Sequence, residues 1–215
     1  KNTMISLTSK LHNINSSIPV WSNQISEAPE FSLINQGASL EATSVVYFPS
    51  CITRMMGTYQ NKQKNLMETF YSICKKSNIN LVVLNDIQQA CCGQIFSSKG
   101  FSNAFEYTAN EILEKMWQSS NEGLMPIVID VSSCQYTLKS ILPVLNPANK
   151  TKFHKLRILD SIDFIHEYVM PYQKAVNPKN EIVLHPVCSL QKLKTQDKFL
   201  EIAKAYAGKV NVPLN

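Results

Sequence analysis

From Ser44 onward, short runs of branched apolar residues alternate with longer stretches of helical period, and that alternation leaves few folds open. A short continuous apolar run suits a strand buried on both faces, and successive parallel strands need a long crossover, usually a helix, to connect them. The runs fall at residues 45–48, 81–84, 127–131, 156–159, 182–184 and 210–212. Between the first two, Tyr59, Leu66, Phe70, Ile73 and Cys74 lie near one helical face. Phe105, Ile112, Leu113 and Met116 mark a second helix over 102–119. A third is predicted from about Leu190 to Ala207, with Gly208 in the position glycine takes just past a helix end. The expected fold class is α/β: a mostly parallel, Rossmann-like sheet flanked by helices.

Residues 1–43 read differently, as a polar arm or linker. Met4, Ile5, Leu7 and Leu11 fit one face of a short helix, and Pro19, Trp21, Pro29 and Phe31 suggest an extended segment pinned onto a core by aromatics. Beyond the arm, the chain looks duplicated. Val45-Val46-Tyr47-Phe48-Pro49-Ser50-Cys51 matches Ile182-Val183-Leu184-His185-Pro186-Val187-Cys188: a strand, a proline that ends it, a cysteine two residues on, then a helix. The expected organisation is a first lobe at 44–181 and the start of a second, truncated copy at 182–215.

The six cysteines are the chemically pointed residues. Cys51 follows the first strand, Cys91 and Cys92 with Gly93 follow the second, Cys134 follows the third, and Cys188 follows the strand that opens the second copy. In an open parallel sheet the carboxyl ends of the strands share one edge, where ligands bind, so cysteines far apart in sequence can converge there. Helix N-termini at that edge are expected to favour thiolate, the form that binds metal. Gly93 would let the backbone turn sharply beside the adjacent pair. Soft sulfur donors without a Cys-x-x-Cys or Cys/His pattern favour an iron–sulfur cluster over structural zinc. Cys74, in mid-helix on an apolar face, reads as a core residue. His185 reads as a buried histidine with a backbone partner before it reads as a ligand. Ser97 and Ser98 read as turn or cap residues, and Lys99-Gly100 as a solvated loop.

The bulk numbers exclude some classes. The net charge of +5 is scattered and only two arginines are present, Arg54 and Arg157, so no focused footprint for nucleic acid exists. No apolar run is long enough to span a bilayer. The chain opens on Lys1 and is read as part of something longer. Lys1 to Asn15 carries no apolar signal-like stretch, which sets the expectation of a reducing, cytoplasmic compartment.

Taken together, Cys91-Cys92-Gly93-Gln94-Ile95-Phe96-Ser97-Ser98-Lys99-Gly100-Phe101, Tyr47-Phe48-Pro49-Ser50-Cys51-Ile52-Thr53-Arg54 and His185-Pro186-Val187-Cys188-Ser189 resemble the duplicated cysteine-rich CCG domain. That domain occurs in heterodisulfide reductase, in the iron–sulfur component of glycolate oxidase and in lactate-utilisation proteins. The closer likeness, from about residue 44 to the end, is to the C-terminal part of FAD-linked D-lactate dehydrogenases. The resemblance implies an electron-transfer segment holding an iron–sulfur cluster of 4Fe-4S type. Its metal ligands would be Cys51, Cys91, Cys92 and Cys134, with Cys188 for a second site and Gly93 shaping the cofactor pocket; it implies no catalytic residue in this segment. Partners would be FAD and ferredoxin-like domains of the same parent chain and a quinone or cytochrome acceptor, in the cytoplasm or peripherally at the inner face of its membrane. FAD would bind only in the rest of the parent, so this segment alone would not oxidise lactate. Two departures stand out: Cys134 lacks the Cys-x-x-Cys that usually ends the motif, and the second Cys-Cys-Gly would fall just beyond Asn215. Two rival readings are a thiol–disulfide redox domain using Cys91 or Cys92, and a non-catalytic docking module.

Overall fold

The computed structural model describes residues 2–22, 28–29, 43–56, 64–173 and 178–213. Tyr59, expected on a helical face, and Phe31, expected to pin the arm, lie outside the described residues. Helix α1 (Asn2–Ile14) forms as the spacing of Met4, Ile5, Leu7 and Leu11 predicts, but it buries no residue. The described residues just after it turn back to α1. The Trp21 N–H donates to Thr8 Oγ1 at 3.0 Å, and the Trp21 side chain remains 42% exposed.

The alternating runs become a four-stranded parallel sheet. The chain passes through β1 (Thr43–Phe48), α2 (Cys51–Met55), α3 (Leu66–Lys76) and β2 (Ile79–Val83), then α4 (Gln94–Lys99), α5 (Ser102–Ser119) and β3 (Ile127–Ile129). It continues through α6 (Ser132–Lys139), α7 (Pro147–Phe153), β4 (Ile158–Asp160) and α8 (Ser161–Phe164), which widens into a π-turn at Ile165–Val169. The strand order is β2-β1-β3-β4, with Tyr47 opposite Val83, Phe48 opposite Ile129, and Ile129 opposite Asp160. The chain therefore runs outward from β1 to β2 and then crosses to the other side of β1. The switch point between β1 and β3 is where an open α/β sheet leaves a crevice.

Period-two alternation sorts β1 between two cores. Val46 and Phe48 pack with Ile112, Leu113 and Met116 of α5 on one face. Val45 and Tyr47 pack with Met67, Phe70 and Cys74 of α3 and with Phe164 of α8 on the other. Tyr47 stacks on Phe70 at 4.6 Å between ring centres. Helix α3 starts cleanly because Asn65 and Glu68 form a reciprocal capping box. Cys74 is fully buried, as its place on the apolar face predicts, and burial pushes its thiol up to about 12.

The last two predicted strands pair separately. Strand β5 (Lys179–Val183) and β6 (Ala207–Asn211) form a parallel two-stranded sheet, joined through α9 (Cys188–Leu193) and α10 (Gln196–Tyr206). The single helix expected over 190–207 is two: Lys194 takes a left-handed conformation (φ 58°) that ends α9, and α10 follows. Gly208 does not cap α10 either. It lies within β6, where an added Cβ would meet the Asn180 carbonyl at 3.2 Å. Its role is close strand approach rather than helix termination. Helix α9 packs on α6, with the Lys192 ammonium 5.1 Å from the Tyr136 ring centre. Lys198 of α10 pairs with Asp163 of α8 at 2.7 Å.

Candidate metal and redox site

The carboxyl edge of the four-stranded sheet gathers three sulfurs. Cys91 and Cys92 lie in the segment between β2 and α4, and Cys134 is the third residue of α6, just after β3. Cys92 donates to Cys134 Sγ at 3.1 Å, and both side chains are buried, at 4% and 6% exposure. Cys91 is half-buried, and its Sγ accepts the Gly93 N–H at 3.4 Å. It also forms part of the wall of a cavity of about 340 Å³, with Gln89, Phe96, Tyr107 and Lys115.

Gly93 does what its position predicts. Its φ of +79° is left-handed, and an added Cβ would meet the Phe105 ring at 3.0 Å, so only glycine fits without strain. The next residue begins α4, and Gly100, also left-handed, ends it. Ser97 and Ser98 are inside that helix rather than in a turn or at a cap, and Lys99 is its exposed last residue.

Two polar residues that sequence reasoning passed over hold the edge together. The Arg54 guanidinium donates to the Ile87 and Ala90 carbonyls, each at 2.5 Å, and to the Pro49 carbonyl at 3.2 Å. It thereby ties the Cys51 helix to the loop that delivers Cys91. The Asp130 carboxylate, at the end of β3, accepts the Ser50 N–H at 3.0 Å and the Tyr47 hydroxyl at 2.8 Å, both from the end of β1. Burial, and then the Asp130 charge, push the Tyr47 phenol well above its ordinary range. Ser50 in turn caps α2 through Thr53. The local signal for Arg54 was its rarity and its place three residues after Cys51; for Asp130 it was a carboxylate interrupting an apolar run.

The other two proposed ligands are at helix starts. Cys51 and Cys188 are exposed, each the first residue of its helix. Among the described residues, no group of three or more His, Cys, Asp or Glu side chains is arranged to hold a metal ion. His185 is exposed, contrary to the buried reading, because β5 has a strand on one side only. At Cys91 and Cys92 the expectation of thiolate is overturned. Cys92 is pushed up to about 12, first by its hydrogen bond to Cys134, with burial adding to it. Cys91 is held above the ordinary thiol range, first by its hydrogen bond to Cys92 and then by burial. Buried thiols that share protons keep them.

These distances bear on what the sulfurs can bind. The 3.1 Å between Cys92 and Cys134 is shorter than the roughly 3.8 Å that two thiolates keep on one metal, and shorter still than thiolates on two irons of one cluster would keep. The donor chemistry, clustered cysteines at a sheet switch point, fits a soft metal or an iron–sulfur cluster. The spacing is that of a hydrogen-bonded dithiol, which must open and release protons before both sulfurs ligate.

Residues 45–139 match the family model of the cysteine-rich CCG domain, a little under half of the chain. The match runs from β1 through α6 and takes in Cys51, Cys91, Cys92, Gly93 and Cys134, while Cys188 lies outside it. It supports a redox or iron–sulfur type of module. No curated protein matches the chain. No helix among the described residues is long and apolar enough to cross a membrane.

Proposed function

We propose that this chain is an electron-transfer segment in which Cys91, Cys92 and Cys134, joined by Cys51, hold an iron–sulfur cluster of 4Fe-4S type. Its parent would be an FAD-linked D-lactate dehydrogenase. Electrons from a flavin on the FAD domain would pass through a ferredoxin-like segment and this one to a quinone or cytochrome, in the cytoplasm or at the inner face of its membrane. Cys188 would open a second cysteine motif in a duplicated lobe. The observation that carries the reading is convergence: Cys92 and Cys134, from different strand ends, meet at the sheet's switch point with Cys91 beside them. A bound cluster supplies one-electron redox chemistry. The chain's own contribution is to exclude water from Cys92 and Cys134, to hold the Cys91 loop with Arg54, and to shape the turn with Gly93.

The thiol–disulfide reading uses the same Cys92–Cys134 contact, and catalytic turnover of a disulfide by metal-free chain would favour it over the cluster. The test is iron and acid-labile sulfide per chain, with an EPR spectrum, after anaerobic reconstitution. About one cluster per chain, lost in Cys91→Ser and Cys134→Ser, supports the proposal. Wild-type chain that takes up no iron overturns it.

A further inference from the structure

We propose that Cys92 and Cys134 are a redox switch: without metal, a hydroperoxide closes them into a disulfide that a dithiol reductant reopens. The pair is already in contact at 3.1 Å, held from two separate elements, the loop before α4 and helix α6, within one apolar core. Cys92 and Cys134 belong to one core cluster with Phe48, Leu84 and the α5 side chains. Cys74, the other fully buried cysteine, belongs to the core on the opposite sheet face and is out of reach. Cys91, next in sequence to Cys92, stands in the cavity wall.

The pair supplies both sulfurs the step needs. Cys134, whose Sγ accepts the Cys92 S–H, is taken as the sulfur that reacts first. It attacks a peroxide oxygen; the O–O bond breaks, an S–O bond forms, and the Cys134 proton leaves with the alkoxide as ROH. Cys92 sulfur then displaces the hydroxyl from the Cys134 sulfenic acid, and the Cys92 proton departs with it as water. The sum is two thiols and one hydroperoxide giving one disulfide, one alcohol and one water. The two electrons come from the sulfurs and reduce the O–O bond.

The consequence for metal binding rests on the iron–sulfur reading of the same cysteines. The disulfide removes two of the three clustered donors, so oxidised chain cannot assemble a cluster until it is reduced. The switch itself does not need that reading.

The test uses metal-free wild-type chain treated with stoichiometric hydrogen peroxide, then alkylated and digested without reductant. The expected product is a Cys92–Cys134 cross-linked peptide pair that dithiothreitol releases, with Cys74 still alkylatable after unfolding. A link from Cys51 to Cys91 or Cys92, or sulfinic acid at Cys134 with no cross-link, would overturn the switch. Iron uptake is then compared before and after peroxide. Uptake abolished by oxidation and restored by dithiothreitol supports the regulatory step, and uptake unchanged by a proven cross-link overturns it. A cross-link in a chain that never takes up iron would leave the switch standing and remove the cluster.

Discussion

The same written motif appears twice in this chain and builds two different environments. In the first copy, Val46 and Phe48 are fully buried between flanking strands and under α5; in the second, their counterparts Val183 and His185 are exposed, Val183 at 68%. The first proline leads to Ser50, whose side chain caps α2 and whose N–H is held by Asp130; the second leads to Val187, which offers no side-chain cap. Arg54 braces the first cysteine helix, and the position three after Cys188 is Gln191. A strand, a proline and a cysteine are therefore not enough to make a site. The neighbours make it: a central strand position, a carboxylate on the next strand, and a guanidinium reaching the adjacent loop.

The sharpest way to break the comparison is to truncate equivalent strand positions. Phe48→Ala should cost about 3–5 kcal/mol of stability, while His185→Ala should stay within about 0.5 kcal/mol, because only the first leaves a cavity. Urea unfolding of both variants checks this; equal losses would mean that the two strands are equally integrated. Next in size is the clasp between strand ends. Asp130→Asn should cost about 2 kcal/mol, since it replaces a charged acceptor of two hydrogen bonds. Tyr47→Phe in the same background should cost less than it does alone, and strict additivity in that double-mutant cycle would mean that the clasp carries no coupling.

What the sequence made legible and what it hid divide along the same line. All six strands and the helix at Ser102–Ser119 were readable, because β-branched runs and apolar spacing are local and survive without knowledge of neighbours. The cysteines' shared edge was readable too, since topology alone brings strand ends together. Arg54 and Asp130 were not: apart from Pro49, their partners lie 33 to 83 residues away, and the local signals they carry name no partner. The break at Lys194 was hidden because a lysine, not a glycine, takes the left-handed turn. Gly208 misled for the opposite reason, a glycine demanded by the neighbouring strand and not by the helix before it. Proton affinity was misjudged at Cys91 and Cys92 because helix N-termini are visible in a sequence, whereas a sulfur hydrogen-bonded to another sulfur is not.

The brace around the first cysteine sharpens the contrast further. Arg54→Gln removes the guanidinium fork over Ile87 and Ala90 and should lower affinity for reconstituted iron about 10-fold, the low end for a residue that supports ligands without touching the metal. Gln191→Ala, at the matching place after Cys188, should change it by less than about 2-fold. Iron retention against a competing chelator measures both, and an Arg54 variant that holds iron as well as wild type would remove the brace from the account of the site.

The smallest expected effect belongs to the buried thiol of α3. Cys74 is raised from an ordinary value near 9 to about 12 in the folded chain, by burial. Above pH 9 the unfolded chain therefore releases a proton that the folded chain keeps. Stability present below that pH is lost as pH rises toward 12, by roughly 1.4 kcal/mol per pH unit at most for one group. Tyr47, raised in the same direction, adds its own loss above about pH 10, the usual range of a phenol. Cys91 and Cys92 are raised in the same direction, so Cys74→Val should lessen the decline between pH 9 and 10 without abolishing it, and leave the Tyr47 part above it. Urea midpoints from pH 8 to 10.5 resolve the two. A Cys74→Val chain that declines as steeply as wild type would assign the alkaline loss to some other group, and the buried thiol would then be packing alone.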